Sequence, residues 1–391
     1  MAEEKAKKFT SLKDLAKKIN KEYGNDNVVR RSDIIPAYRR LRSGALGMDY
    51  PLYGGLPYGR ICVYSGKQHS GKSTAAMREL AAYQQENPDK LCIYVDAEHA
   101  LDIKFQALMN NVDLDKLFIF SPPTGMSGEQ ILAEVLRLQL EADDIGLIVI
   151  DSVPALVTAQ NLKSEFTKDT GKQGTIAKSM HKFLTEIIPS LEEKQNILIL
   201  INQVRVKDVM YNGAPIYSEP GGDAPKFYSS VSVRFGTRKY MKGDTEISGE
   251  NNGEGATGFK LKFDITKNKT APTNRGGGFI TYDYVNGLDY IGDMLQVALT
   301  FDFIQRINNV TYQLINLETG EVLKDEDGKE LRGKKAYLLD YLANHKEFRD
   351  WYFDMLNTYI SASNTLTKHL LSEEEEAEIK AEEAAIKTVE E

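Results

Sequence analysis

Two short stretches hold the residues best suited to chemistry. The first, "GKQHSGKS" at 66–73, places glycines at both ends of a loop and follows them with a lysine and a hydroxyl. Such glycines let successive backbone N–H groups turn toward phosphate oxygens, and a helix opening behind them adds partial positive charge. Lys72 then reaches β- and γ-phosphates, and the Ser73 hydroxyl suits Mg²⁺. The candidate contacts are Gly66, Lys67, Gln68, His69, Ser70, Gly71, Lys72, Ser73 and Thr74. The second stretch, "VDAEHALD" at 95–102, sets Asp96, Glu98 and His99 after the apolar run "LCIYV". By itself this cluster fits a metal site, a general base, a ligand clamp or a plain polar strand end.

The elements that must position these residues follow a regular alternation. Strand-like runs fall at 61–65, 91–95, 117–120, 146–150, 197–201 and 230–235. Helix-like segments at 72–86, 101–110, 128–141 and 175–193 separate the first five. Short apolar strands alternating with helices predict an α/β fold with a mainly parallel sheet covered on both faces. Ligands then collect at the carboxyl ends of the strands. Runs at 258–265 and 277–285 predict antiparallel strands that extend the sheet. Two polar intervals, 158–174 and 203–226, interrupt the pattern and are expected to project from one sheet edge.

Outside this core, Phe9, Leu12, Leu15, Ala16 and Ile19 make an amphipathic helix within 1–23, and "NVVRR" reads as a short strand. The expected division is an arm at 1–35 that packs on a neighbouring subunit, a core at 36–287, a small α+β module at 288–371 and a disordered acidic tail at 372–391.

Composition narrows the function class. The chain has 391 residues, 41% hydrophobic and 27% charged, as an ordinary globular protein does. No apolar run approaches the roughly 18 residues of a membrane span, and the charged start "MAEEKAKK" predicts no export. Cys62 and Cys92 both sit in apolar runs and read as buried thiols in a reducing, cytosolic setting. The net charge of −8 argues against nucleic-acid binding only superficially, because the tail holds nine glutamates against two lysines.

The pieces bear on one another. "GLIVIDS" ends an apolar strand in Asp151, placing a carboxylate beside the phosphate loop for a water-mediated Mg²⁺ contact. Strand 91–95 is expected to lie next to the phosphate-loop strand, which brings Glu98 close to a γ-phosphate. There a carboxylate can orient or deprotonate an attacking water. Asp96, Glu98 and His99 are too close together to cage a metal without distant ligands, and His99 reads as structural or solvated.

At this point the sequence resembles the RecA family of homologous-recombination ATPases over most of its length. "SGALGMDYPLYGGLPYGRICVYSGKQHSGKST", "YVDAEHALD", "IVIDSVPAL", "LILINQVR", "GGDAPKFYSSVSVR" and "KNKTAP" follow in the family's order and at similar spacing. The bacterial recombinase and phage recombinases are both candidates, and the modified loops and C-terminal part, which depart from the bacterial pattern, point to a phage version. The resemblance implies a RecA-like ATPase core that binds ATP and Mg²⁺. It implies that Glu98 activates the hydrolytic water with Asp96 in support. By the same resemblance, Asp102 is expected to contact adenine, with Phe105 stacking on it, and Gln203 to sense the γ-phosphate. The resemblance further implies that Lys267 and Lys269 reach the ATP of the adjacent subunit and that Lys226 and Phe227 belong to the subunit interface.

By the same resemblance the two polar intervals face DNA. The first carries Lys163, Lys168 and Lys172, with Lys178 just after it, and the second carries Arg205, Lys207, Tyr211, Gly221 and Gly222. Lysines and backbone amides suit phosphates, and an aromatic ring can wedge between bases. The expected function is an ATP-dependent recombinase that forms helical filaments on single-stranded DNA and exchanges strands with a homologous duplex. Single-strand-binding and mediator proteins are further expected partners. The rivals on the same core are a hexameric helicase and a nucleotide-switched filament scaffold.

Overall fold

The computed structural model describes residues 11–24, 28–29, 38–162, 174–209, 215–218, 220–243, 245–247, 253–300 and 302–362. The chain divides into two compact units, 1–39 and 40–391.

In the first unit, α1 (Leu12–Tyr23) starts at Ser11, whose Oγ accepts from Asp14 N, and ends at Gly24 in the left-handed region. Leu12 and Leu15 remain exposed, so the apolar face of α1 is uncovered. The strand expected at "NVVRR" is not present at Val28 and Val29, which form a bend. There the Asn20 side chain donates to Val29 O at 3.0 Å and accepts from Val29 N at 2.8 Å. A side-chain amide thus takes the backbone groups a strand partner would have taken. Residues 30–37 lie outside the described residues.

The second unit is built on an eleven-stranded sheet. Its strands are β1 (Ile61–Gly66), β2 (Leu91–Asp96), β3 (Leu117–Phe120), β4 (Ile145–Asp151) and β5 (Ile197–Gln203). There follow β6 (Val231–Phe235), β7 (Lys239–Lys242), β8 (Thr245–Ile247), β9 (Gly258–Asn268), β10 (Gly277–Asp283) and β11 (Gly287–Leu288). The order runs β8-β7-β9-β6-β1-β5-β4-β2-β3, with β10 on β9 and β11 on β10. The six strands from β6 to β3 are parallel, and the rest are antiparallel. The mainly parallel α/β core read from the sequence is therefore present.

Period-two alternation sorts the core strands onto two faces. Cys62 and Tyr64 of β1 join one cluster with Ala75, Ala76 and Leu80 of α2 (Lys72–Glu86). Ile61 and Val63 join the other with Ile131 and Val135 of α4 (Gly128–Glu141) and Leu184 and Ile187 of α5 (Gly174–Lys194). Between them in sequence, the short α3 (Ile103–Asn110) is N-capped by Asp102, which accepts from Phe105 N at 3.0 Å. That cap moves the helix start from the expected 101 to 103.

Residues beyond β11 gather a third core around Leu295, Leu338, Tyr352 and Leu356. It joins α7 (Tyr290–Thr300), α8 (Lys335–Asn344) and α9 (Lys346–Ala362) to a three-stranded sheet at 304–333, with Leu46 of the larger part buried among them. No described helix is long and apolar enough to cross a membrane. Cys62 and Cys92 are buried, free thiols, and burial pushes both up.

Candidate nucleotide site and adjoining surfaces

The phosphate loop connects β1 to α2 at the carboxyl edge of the sheet. Gly71 has φ +88°, and a Cβ there would lie 2.3 Å from a Leu261 methyl carbon, so only glycine fits the turn without displacement. Lys72 Nζ donates to Lys67 O at 2.8 Å, folding the lysine back over its own loop. Burial pulls the Lys72 ammonium down, and the Asp151 and Glu98 carboxylates oppose that.

Asp151 ends β4 beside this loop. Its Oδ2 accepts from Ser73 Oγ at 2.6 Å and also from the Tyr94 hydroxyl. Burial pushes the Asp151 carboxyl up, and these two hydrogen bonds hold it down. A serine hydroxyl and a carboxylate form a hard-oxygen pair of the kind that holds Mg²⁺ together with phosphate oxygens.

The route by which Glu98 reaches this site differs from expectation. β2 is not beside β1: β5 and β6 flank β1, and β4 lies between β5 and β2. Hydrophobic periodicity says which segments are strands but not which strands are neighbours. The segment after β2 instead bends across the end of β4, where Ala97 N donates to Asp151 O at 2.8 Å. Ser152 Oγ donates to Glu98 Oε1, and Gln203 Nε2 donates to the same oxygen at 3.0 Å. Glu98 is thus held from two adjacent strands.

A cavity of about 360 Å³ unites the site. Of the residues expected there, Gln68, His69, Gly71, Lys72, Ser73, Thr74, Glu98, Asp102, Asp151 and Gln203 line it. Gly66 and Lys67 line a smaller neighbouring cavity instead. Ser70 is buried beneath the loop, and Asp96 is buried with its Oδ1 3.4 Å from Ala100 N. Phe105 is 46% exposed and does not line the cavity. His99 is exposed, with φ +53°.

Ser152, Tyr94, Gln106 and Arg238 complete the surroundings without having been singled out in the sequence. Ser152 directly follows Asp151, and that adjacency was its only signal. Tyr94 falls within the apolar run of β2; its ring is buried and its hydroxyl donates to Asp151 Oδ2.

A second cluster lies around α6 (Ala224–Tyr228). Lys267 Nζ donates to Lys226 O and, at 3.2 Å, to Phe227 O, while Lys269 Nζ donates to Phe227 O at 3.1 Å. The Lys269 ammonium sits 5.8 Å from the centre of the Phe227 ring. Burial and the neighbouring Lys269 charge pull Lys267 down to about 8. These four residues and Asp223 line their own shallow cavity, apart from the first.

Between the clusters runs the second polar interval. Much of it is a hairpin, Arg205–Val209 paired with Pro215–Ser218, so Arg205 and Lys207 sit on a strand rather than in an irregular loop. Asn202 Nδ2 donates to Pro220 O at 3.0 Å and Asn202 Oδ1 accepts from Gln203 N at 2.9 Å, tying the hairpin's return to the end of β5. Gly221 and Gly222 both have positive φ, and added Cβ atoms would lie 2.7 Å from Val153 and 2.8 Å from Ala177. They bring the second interval against both flanks of the first. Lys178 is exposed near the start of α5. Lys163, Lys168, Lys172 and Tyr211 lie outside the described residues.

The sequence that builds this site has relatives among known proteins. Residues 10–288 match the family described as the RecA N-terminal domain. A Protein RecA of Streptococcus agalactiae serotype III is 33% identical over 314 residues, 78% of each chain. A Protein RecA of Sulfurovum is 33% identical over 306 residues, covering 77% of this chain and 82% of that one. A mitochondrial DNA repair protein recA homolog of Dictyostelium discoideum is 31% identical over 339 residues, 84% of this chain and 66% of that one. The chain therefore belongs to the RecA family and is a RecA-type recombinase, a DNA-dependent ATPase of recombination and repair.

Proposed function

We propose that the chain assembles as a helical filament on single-stranded DNA, pairs it with a homologous duplex and exchanges strands, with ATP bound between protomers. The observation that carries this reading is the clamp on Glu98. One carboxylate oxygen is held by Ser152 and Gln203 in the cavity that also contains Lys72 and Ser73. A carboxylate so fixed accepts a hydrogen bond from a water in line with the γ-phosphate, which is the positioning that phosphoryl transfer requires.

Lys72 and the loop amides bind the triphosphate, while Ser73 and Asp151, the latter through water, would hold Mg²⁺. When bound, Mg²⁺ neutralises charge on the β- and γ-phosphate oxygens. Asp102 faces the adenine, and Phe105 stacks on it after a small rearrangement of the α3 start. Asp96 supports the Glu98 turn from below. Gln203 bonds Glu98 by its side chain and Asn202 by its backbone, so it joins the hydrolytic carboxylate to the DNA-facing hairpin. Lys267 and Lys269 leave the α6 carbonyls and reach the ATP of the adjacent protomer, with Lys226 and Phe227 in the same interface.

The uncovered face of α1 supports an arm at 1–35 that docks on a neighbouring protomer. Within 158–174 and 203–226, Lys163, Lys168, Lys172, Lys178, Arg205 and Lys207 serve DNA phosphates, Tyr211 wedges between bases, and Gly221 and Gly222 offer amides. Residues 288–371 form a C-terminal module, and the tail at 372–391 competes with DNA for basic surfaces. The reading places the protein in the cytoplasm, on DNA, with single-strand-binding and mediator proteins as helpers.

Strand exchange between circular single strands and linear duplex tests the proposal. Joint molecules and nicked circles that require ATP are expected. Unwinding of a tailed duplex without exchange, or filaments whose ATPase ignores DNA, would refute it.

A further inference from the structure

Two buried carboxyls that do not line the nucleotide cavity lie where the C-terminal part joins the core. Asp293 is on α7, and Asp49 ends the short helix Leu46–Asp49, which leads toward β1 and the phosphate loop. Asp293 Oδ2 accepts from Gly47 N at 3.0 Å, while its Oδ1 has no hydrogen-bond partner. Asp49 Oδ1 accepts from Ser43 N at 2.9 Å. Gly47 permits the close approach: a Cβ there would lie 2.2 Å from Phe279 O and 3.0 Å from Asp293 Oδ1. Leu46, next to it, is buried among Met294, Leu295 and Ala298 of α7. An apolar seam with a polar bond beside it thus joins the C-terminal part to the core.

The charges around Asp293 do not balance it. Asp289, just before α7, and Asp49 are both acids, and around Asp49 stand Arg42 and the buried Glu79 of α2. Lys260 of β9 faces Asp293, with its ammonium 5.0 Å from the Phe279 ring centre. Burial pushes the Asp293 carboxyl up to about 8; Asp289 and Asp49 add to that, and the Gly47 N–H and Lys260 oppose it. Burial likewise pushes Asp49 up to about 6. A carboxylate with an unbonded oxygen is unfavourable in such a seam, and the neutral acid far less so.

We propose that Asp293 gates this joint by protonation: the neutral carboxyl keeps α7 seated on the Leu46–Asp49 helix, and the ionised one favours release of α7 from the core. Once released, Asp293 returns to its ordinary value of 3.8. Between 3.8 and about 8 the seated form therefore holds the extra proton, so release grows about tenfold per pH unit and levels off above about 8. Asp49 contributes up to about 6, which leaves the window from about 6 to about 8 to Asp293.

Hydrogen exchange of the full chain tests this, under conditions where exchange follows the opening equilibrium and after correction for the intrinsic effect of pH. Within that window the protection of α7 amides is expected to fall about tenfold per pH unit, and to stay below that of β1 and β5 amides throughout. Asp293→Asn, which keeps the shape and cannot ionise, is expected to flatten the α7 profile. Lys260→Met, at a half-buried position, is expected to keep the slope and move the levelling point upward, because a facing cation is gone. Should Asp293→Asn not fold, the wild-type slope and Lys260→Met still decide. A flat wild-type profile, an unchanged slope in Asp293→Asn, an unmoved levelling point in Lys260→Met, or α7 amides that exchange only together with those of β1 and β5 would each overturn the inference.

Discussion

The phosphate-loop cavity and the Lys267–Lys269 cluster both present lysines to anions, yet they are built in opposite ways. In the cavity, cation, hydroxyl and carboxylates converge from α2, β4 and the segment after β2, and Ser73 and Glu98 are pinned by side chains from β4, the residue after it, and β5. In the cluster both ammonium groups rest on backbone carbonyls at the end of α6, beside a Phe227 that is 71% exposed. Among the described residues, Asp223 supplies the carboxylate in its lining. The first has the parts of a catalytic site in one protomer. The second has cations and an aromatic ring, which the proposed reading assigns to the ATP of the adjacent protomer. The difference teaches that a lysine is read by its surroundings: Lys72, Lys267 and Lys269 all donate to backbone carbonyls, but the Asp151 and Glu98 carboxylates stand near Lys72, whereas Lys267 and Lys269 stand beside each other.

The largest expected effect breaks the comparison at the cavity. Glu98→Ala should lower DNA-stimulated ATP turnover about a thousandfold while ATP and DNA binding persist, as measured by phosphate release and fluorescent-nucleotide titration. Normal turnover would remove Glu98 from the chemistry. Next comes the cluster. Lys267→Ala combined with Lys269→Ala should leave nucleotide binding by a single protomer intact and lower turnover on DNA on the order of a hundredfold. Mixing these protomers with Glu98→Ala protomers should restore part of the activity, since some junctions then pair an intact cavity with an intact cluster. Absence of complementation would argue that both clusters serve the same protomer.

A smaller effect follows from pH. Lys267 is pulled down to about 8, below the ordinary lysine value. The unfolded chain holds that proton more tightly, so stability rises with pH between about 8 and the ordinary value, and the penalty is fully present below that window. Activity should run the other way, because only the protonated lysine serves a phosphate. Turnover on DNA should fall severalfold as pH passes about 8, and Lys267→Arg should abolish this alkaline limb. A limb that survives in Lys267→Arg belongs to another group. The smallest change is Ser152→Ala, which removes one of two donors to Glu98. A net bond of about 1 kcal/mol predicts a few-fold loss of turnover, and Gln203→Ala should in addition lose DNA stimulation.

Deleting the tail sharpens the contrast from outside. Loss of its nine glutamates should strengthen duplex binding at low Mg²⁺, with little change at high Mg²⁺ where the charge is screened. A binding curve unaltered by deletion would mean that the tail does not compete with DNA.

How much of this was legible beforehand depends on whether a feature is local in the chain. The phosphate loop was, because glycines, lysine and serine act within eight consecutive residues and the strand before them and helix behind them show in the periodicity. The parallel core was legible for the same reason: continuous apolar runs alternating with amphipathic helices have few other ways to bury their surface. Asp151 and Glu98 were legible as carboxylates at strand ends. The hairpin within 203–226 was not, because its polar residues carry no alternating pattern. Neither was the bend at Val28 and Val29, where a side chain nine positions earlier takes the backbone bonds.

The sequence by itself determined the chemistry on offer: a phosphate loop, two strand-end carboxylates and a lysine pair in "KNK", because each is written in adjacent residues. Only the tertiary structure decided how they meet. Strand order placed β5 and β4 between the phosphate loop and Glu98, so the carboxylate arrives across β4 and is held by Ser152 and Gln203. It likewise set Arg238 and Gln106 in the lining of one cavity, though 132 positions part them in the chain. Neighbour order and shared cavity linings arise from how whole elements pack, and no local pattern of residues records that.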